Sequence, residues 1–125
     1  MFGIAVAPIL LLAVPTEEEY SEEYSSEPKL ITAVKSYKKN KQVALREIQE
    51  MLRNGANVNV KDKLGKTPLH YAMQLCSLPL VKLLIKYRAS LQIEDKYGKT
   101  PLDILNEHSE CEQYDEIKDF IENGE

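Results

Sequence analysis

The residues best equipped for chemistry are few. His70 and His108 are the only histidines, and Cys76 and Cys111 the only cysteines. A hydrolytic or transfer site needs a nucleophile, a base within hydrogen-bond reach and a third group to orient the base. Neither histidine has a serine or cysteine beside it in such a pattern. His108 lies among polar residues and is expected to be exposed near a loop. The carboxylates Glu107, Glu110, Glu112, Asp115 and Glu116 could gather a cation. Their spacing lacks the alternating Asp/Asn and central Gly of a calcium loop, and a solvated acidic cap is expected instead. No CxxC pair or zinc-type Cys/His spacing occurs.

Gly65-Lys66-Thr67 and Gly98-Lys99-Thr100 look like the end of a phosphate loop. That loop needs a second glycine five residues before its Gly-Lys pair, and the chain has Val60 and Ile93 there. Nucleotide binding is therefore rejected. With no catalytic, cofactor or metal constellation in the sequence, an enzyme is the least expected class.

Charge says more than any single residue. The net formal charge of the 125 residues is -4. Residues 1–28 hold six Glu and no Lys or Arg; residues 29–99 hold fifteen Lys/Arg against five Asp/Glu; residues 100–125 hold nine Asp/Glu and one Lys. A basic middle thus lies between two acidic ends. This distribution favours an acidic protein surface as partner. Nucleic acid, bound through the Lys-rich stretch 35–46, is a weaker alternative, because no aromatic residues interleave for stacking.

Residues 1–15 form an apolar leader that is too short for a bilayer-spanning helix and is interrupted by Pro8. A secretion signal, a membrane-associated segment and a tail packed on the domain all remain open, since no positive residue precedes Lys29. Residues 16–28 are acidic, with Tyr20 and Tyr24, and are expected to be a disordered linker. That linker could fold over the basic middle and compete with a partner. Two unpaired thiols fit a reducing, cytoplasmic setting, and a secretion signal would make a disulfide between them permissible.

What positions these residues is a repeat. Gly65-Lys66-Thr67-Pro68-Leu69 recurs as Gly98-Lys99-Thr100-Pro101-Leu102, 33 residues later. Asp62 and Asp95 keep that offset, as do Gly55 and Arg88. Thr67 and Thr100 suit helix N-caps, and Pro68 and Pro101 suit the first helical position, where no N–H is needed. Gly65 and Gly98 permit the positive φ of a tight turn. Leu69 and Ala72 share one helix face, with Ala72 small enough for a neighbouring helix to approach. Leu80, Val81, Leu83, Leu84 and Ile85 form a broad apolar face on a second helix, with Ser77 and Pro79 at its entry.

Thr67-Pro68-Leu69-His70-Tyr71-Ala72 resembles the signature of the ankyrin repeat family, and Gly55-Ala56-Asn57-Val58-Asn59 resembles its loop. The resemblance covers about residues 29–125 and implies an all-α solenoid of three helix–turn–helix repeats, near 29–61, 62–94 and 95–125. Helices are expected near 29–38, 42–53, 68–75, 79–87, 101–107 and 114–122. The segments 56–66 and 89–99 are expected to project as hairpin-like fingers. The flanking repeats are irregular: extra residues fall around Tyr37 to Gln42 and Glu110 to Gln113, Asp103 replaces the motif His, and Cys76 stands where the family has Gly.

The resemblance further implies a protein–protein interaction module, monomeric when unbound, with no small-molecule substrate. A secreted protein acting on a partner outside the producing cell is the alternative setting. Contact residues carried over by position are Lys61, Lys63, Leu64, Lys66, Gln74 and Leu75, with Glu94, Lys96, Tyr97, Lys99 and Glu107 in the next repeat. Leu64 and Tyr97 occupy equivalent finger positions. His70 is implied to be structural, its ring bonding loop backbone.

Overall fold

The structure is a computed structural model and describes residues 27–124. The expectations for the apolar leader and for nearly all of the acidic linker lie outside these residues. Among the described residues six α-helices form and no strand does.

The helices come in three pairs. They are α1 (Lys29–Lys35) with α2 (Lys41–Arg53), α3 (Pro68–Gln74) with α4 (Leu78–Lys86), and α5 (Pro101–Glu107) with α6 (Tyr114–Asn123). The first helices pack in a row, α1 on α3 on α5, and α4 packs on α6 in the outer row. Each first helix is only seven residues long. A helix that short is marginal alone in water, so packing must hold it. The central one is the most enclosed: Pro68 through Met73 are all buried. Ala72 is fully buried, as a close helix–helix approach requires.

Local chemistry sets the helix starts. Thr67 and Thr100 extend the backbone just before α3 and α5, and each hydroxyl accepts from the N–H three residues on. Ser77 does the same for α4 through Leu80, and Asn40 for α2 through Val43. The extra residues of the first repeat form a 3₁₀ turn, Ser36–Lys38, before Asn40 restarts the chain as α2. Those of the third form the loop His108–Gln113.

The core is a single cluster running through all three pairs. It includes Ile31, Val34 and Ile48 from the first repeat, Leu69, Met73, Leu80 and Leu84 from the second, and Leu105 and Ile117 from the third. The third repeat contributes least, since α6 buries only Ile117 fully. Among the described residues this repeat has a neighbour on one side only, so less of its surface is covered.

Candidate protein-contact surface

The two fingers are built on the same backbone device. In the first, Asp62 Oδ1 accepts from the N–H of Leu64 at 2.9 Å and of Lys66 at 3.0 Å. In the second, Asp95 Oδ1 accepts from Tyr97 N–H at 2.8 Å and Lys99 N–H at 3.0 Å. The Asp62 N–H donates to Lys66 O, and the Asp95 N–H to Lys99 O, closing each tip. The turns need positive φ at their last residue, and Gly65 (+77°) and Gly98 (+79°) supply it. These tips are turns closed by side-chain and backbone bonds, without strands.

The fingers are also tied to one another. Lys96 N–H donates to Leu64 O at 2.9 Å, and Ser90 N–H to Asn59 Oδ1 at 2.8 Å. Gly65 must lack a side chain for this: a Cβ there would sit 3.0 Å from Lys96 N.

His70 supplies a further tie. Its ring is fully buried. Nε2 lies 2.8 Å from Lys99 O, and Nδ1 lies 3.0 Å from Thr67 N. A carbonyl only accepts, so Nε2 carries the proton and Nδ1 accepts from the Thr67 N–H. The ring thus completes a capping box on α3 and clamps the base of the next finger. Every ring nitrogen is committed to structure. Asp103, at the equivalent place in the third repeat, keeps the cap by accepting from Thr100 N–H at 3.0 Å. Among the described residues it bonds no further finger.

The two Asp residues differ in their second oxygen. Tyr71 donates its hydroxyl to Asp62 Oδ2. Burial first, and then this bond, push the Tyr71 hydroxyl well above its ordinary pKa. In the third repeat Ile104 stands at the Tyr71 position, and Asp95 Oδ2 is buried with no hydrogen-bond partner. Burial alone would raise the Asp95 pKa; the Lys99 and Tyr97 N–H groups, with the positive charge of Lys66, hold it below the usual carboxylate value.

The sequence-derived contact residues separate in this geometry. Lys61, Lys63, Glu94, Lys96 and Tyr97 are exposed, as is Gln74 at the end of α3. Tyr97 is 63% exposed, and Lys96 Nζ lies 5.7 Å from its ring centroid. Leu64 is half-buried, although it holds the equivalent position. Finger two bonds its backbone, whereas among the described residues no further finger stands beside Tyr97. Lys66 lies half-buried with Nζ 5.5 Å from the Tyr71 ring, and Lys35 Nζ is 5.2 Å from the same ring. Lys99 is bound by Glu107, which raises its pKa. Leu75 is half-buried and lines a cavity at the opposite helix turns.

Sequence reasoning left one covalent feature open. Unpaired thiols were the default expectation and a disulfide the alternative; in the structure Cys76 and Cys111 form a disulfide, with a Cα–Cα distance of 6.3 Å. Both residues fall in turns between the two helices of their repeats, and the stacking of α4 on α6 brings those turns together. The clue in the sequence was Cys76 at a glycine position. It adopts φ +55°, a conformation that a residue with a Cβ rarely takes.

A model of the family described as "Ankyrin repeats (3 copies)" matches residues 30–114. The chain belongs to the ankyrin repeat family. A putative ankyrin repeat protein of fowlpox virus (strain NVSL) is 41% identical over 63 residues, which is 50% of this chain and 11% of that protein. Among solved structures, the ankyrin repeat domain of Bcl-3, described as a unique member of the IkappaB protein family, aligns with a TM-score of 0.54 and 33% identity. The alignment covers 60% of this chain and 30% of the Bcl-3 chain. The chain therefore corresponds to a small part of both. Ankyrin repeats are generally protein–protein interaction modules. Among the described residues no helix is long and apolar enough to cross a membrane, and no group of three or more His, Cys, Asp and Glu could hold a metal.

Proposed function

We propose that this chain is a non-enzymatic protein-binding module whose contact surface is the pair of finger tips and the adjoining exposed face of the first helices. The observation that carries this reading is Tyr97, a largely exposed aromatic on a rigid turn, with Lys96 against its ring and Lys61 and Lys63 exposed on the finger beside it. A rigid aromatic rimmed by cations suits an interface anchor, because little side-chain entropy is lost on docking. The cations select an acidic partner and speed its encounter.

The last glutamate of the acidic segment, Glu27, contacts a lysine beside this surface. Glu27 Oε2 lies 2.9 Å from Lys35 Nζ, and Lys35 flanks Tyr71 beside Lys66. This supports a competing role for residues 16–26, which carry five further Glu.

Partners are captured from the native cell by crosslinking and identified, and their affinity is then measured at low and physiological salt. The combined variant Lys63→Glu, Lys66→Glu, Lys96→Glu, Lys99→Glu should bind at least ~10-fold more weakly at low salt, with helicity unchanged. Tyr97→Ala should weaken binding at both salt concentrations. A chain without residues 1–26 should bind more tightly. Equal affinity of the four-lysine variant at low salt would remove this surface from consideration.

A further inference from the structure

We propose that the Cys76–Cys111 bridge is a thiol–disulfide exchange site, taking a dithiol reductant, and that its state decides whether α6 and the loop before it stay seated on the stack. The bridge spans a joint between repeats. It links the α3–α4 turn to the α5–α6 loop, the cysteines being 35 positions apart in sequence. Beside it, Leu78 N–H donates to Gln113 Oε1 at 2.9 Å. These two bonds are the close ties between the turn regions of the second and third repeats.

The third repeat depends on them more than the second does on anything comparable. Only Pro101, Ile104 and Leu105 of α5 are buried, and only Ile117 of α6. The α5–α6 loop is itself exposed at Ser109, Glu110 and Glu112. By contrast, the front of α5 is held at its base by His70 and the fingers. Opening the bridge should therefore release α6 and the loop first, and leave the fingers in place.

The bridge is also within reach of a reductant. Both cysteines are half-buried and line an open cavity of about 770 Å³ with Tyr37, Lys38, Lys41 and Glu112. Positive charge near a sulfur favours the thiolate that exchange produces, and Lys38 and Lys41 supply it against the single Glu112. In the step itself, a thiolate of the dithiol attacks one sulfur and the Cys76–Cys111 bond breaks. The second thiol of the reductant then resolves the mixed disulfide. The reductant is oxidised to its disulfide, and the two cysteines, having gained two electrons, take up two protons.

The test uses the purified full chain, oxidised and then treated with dithiothreitol, with intact mass after alkylation to count thiols. Amide exchange is followed peptide by peptide. After reduction, exchange in 114–123 should accelerate on the order of 100-fold, from the lost loop constraint, while 68–74 changes little. The variant Cys76→Gly with Cys111→Ser should reproduce this. Glycine suits φ +55°, so it removes the bond while easing the turn. Unchanged exchange in 114–123 after reduction overturns the proposal. So does a bridge that survives a large excess of reduced glutathione in the folded chain, because it would then be a permanent staple. Neither readout needs the binding partner, so failure here is distinct from failure of the proposed contact surface.

Discussion

His70→Asn isolates the contribution of one inter-repeat hydrogen bond. The asparagine carboxamide oxygen can accept from Thr67 N–H, as the Asp103 carboxylate does from Thr100 N–H at 3.0 Å. The cap on α3 should survive. What disappears is the Nε2–H donor to Lys99 O, a 2.8 Å bond in a fully buried ring. Lys99 O keeps the Asp95 N–H as a donor, so the loss is one hydrogen bond, about 0.5–1.5 kcal/mol. The two ring atoms lost leave space in a packed interior, adding up to about 1 kcal/mol. The total is about 0.5–2.5 kcal/mol, a measurable share of the roughly 5–15 kcal/mol that holds a domain. His70→Ala removes the cap as well and should cost about 1 kcal/mol more. Urea denaturation of the oxidised chain, followed by circular dichroism, measures both. Amide exchange at Lys96 and Lys99 should rise in His70→Asn if finger two is loosened. A stability loss below about 0.5 kcal/mol for His70→Asn would refute the clamp and leave His70 as a cap alone.

Backbone conformation and pH give two more tests. Arg88 adopts φ +72° where the preceding repeat has Gly55, so Arg88→Gly should stabilise the chain by about 0.5–1 kcal/mol in the same denaturation assay, by removing left-handed strain. Gly65→Ala should do the reverse and cost about 2 kcal/mol or more, because strain at φ +77° adds to the 3.0 Å approach of its Cβ to Lys96 N. Asp95 is the acid-sensitive group: its folded pKa is lowered, so its contribution is complete above the ordinary carboxylate range and is lost as pH falls through the folded value. The stability gap between the native chain and Asp95→Asn should therefore shrink on acidification, and a gap that holds constant to low pH would contradict the network drawn around Oδ1.

Much of this architecture was legible because its determinants are local. A threonine before Pro-Leu, a glycine at a turn and an aspartate two residues before a bonded N–H act over four residues, wherever the rest of the chain lies. Five of the six helices accordingly fall within a residue of their expected limits, while α1 ends three residues early where the 3₁₀ turn Ser36–Lys38 takes over; the other inserted residues fall at His108–Gln113, beside the expected place. The 33-residue offset also announced the stacking, since each repeat leaves an apolar face that only a neighbour can cover.

Other features exist only because the repeats are stacked. Leu64 and Tyr97 are the same position in sequence, but Leu64 is half-buried against the following finger, and among the described residues Tyr97 has none beside it. Asp62 and Asp95 are likewise equivalent, yet a tyrosine satisfies one and an isoleucine leaves the other short. The repeat register puts both cysteines in inter-helix turns of adjacent repeats, but whether they bridge depends on how closely those turns meet, which only the stacked structure decides. The sequence by itself determined the helices, the caps and the turn at each finger. The tertiary structure alone decided which side chains are shared between repeats, because burial and pairing depend on the neighbour that a repeat acquires when it stacks.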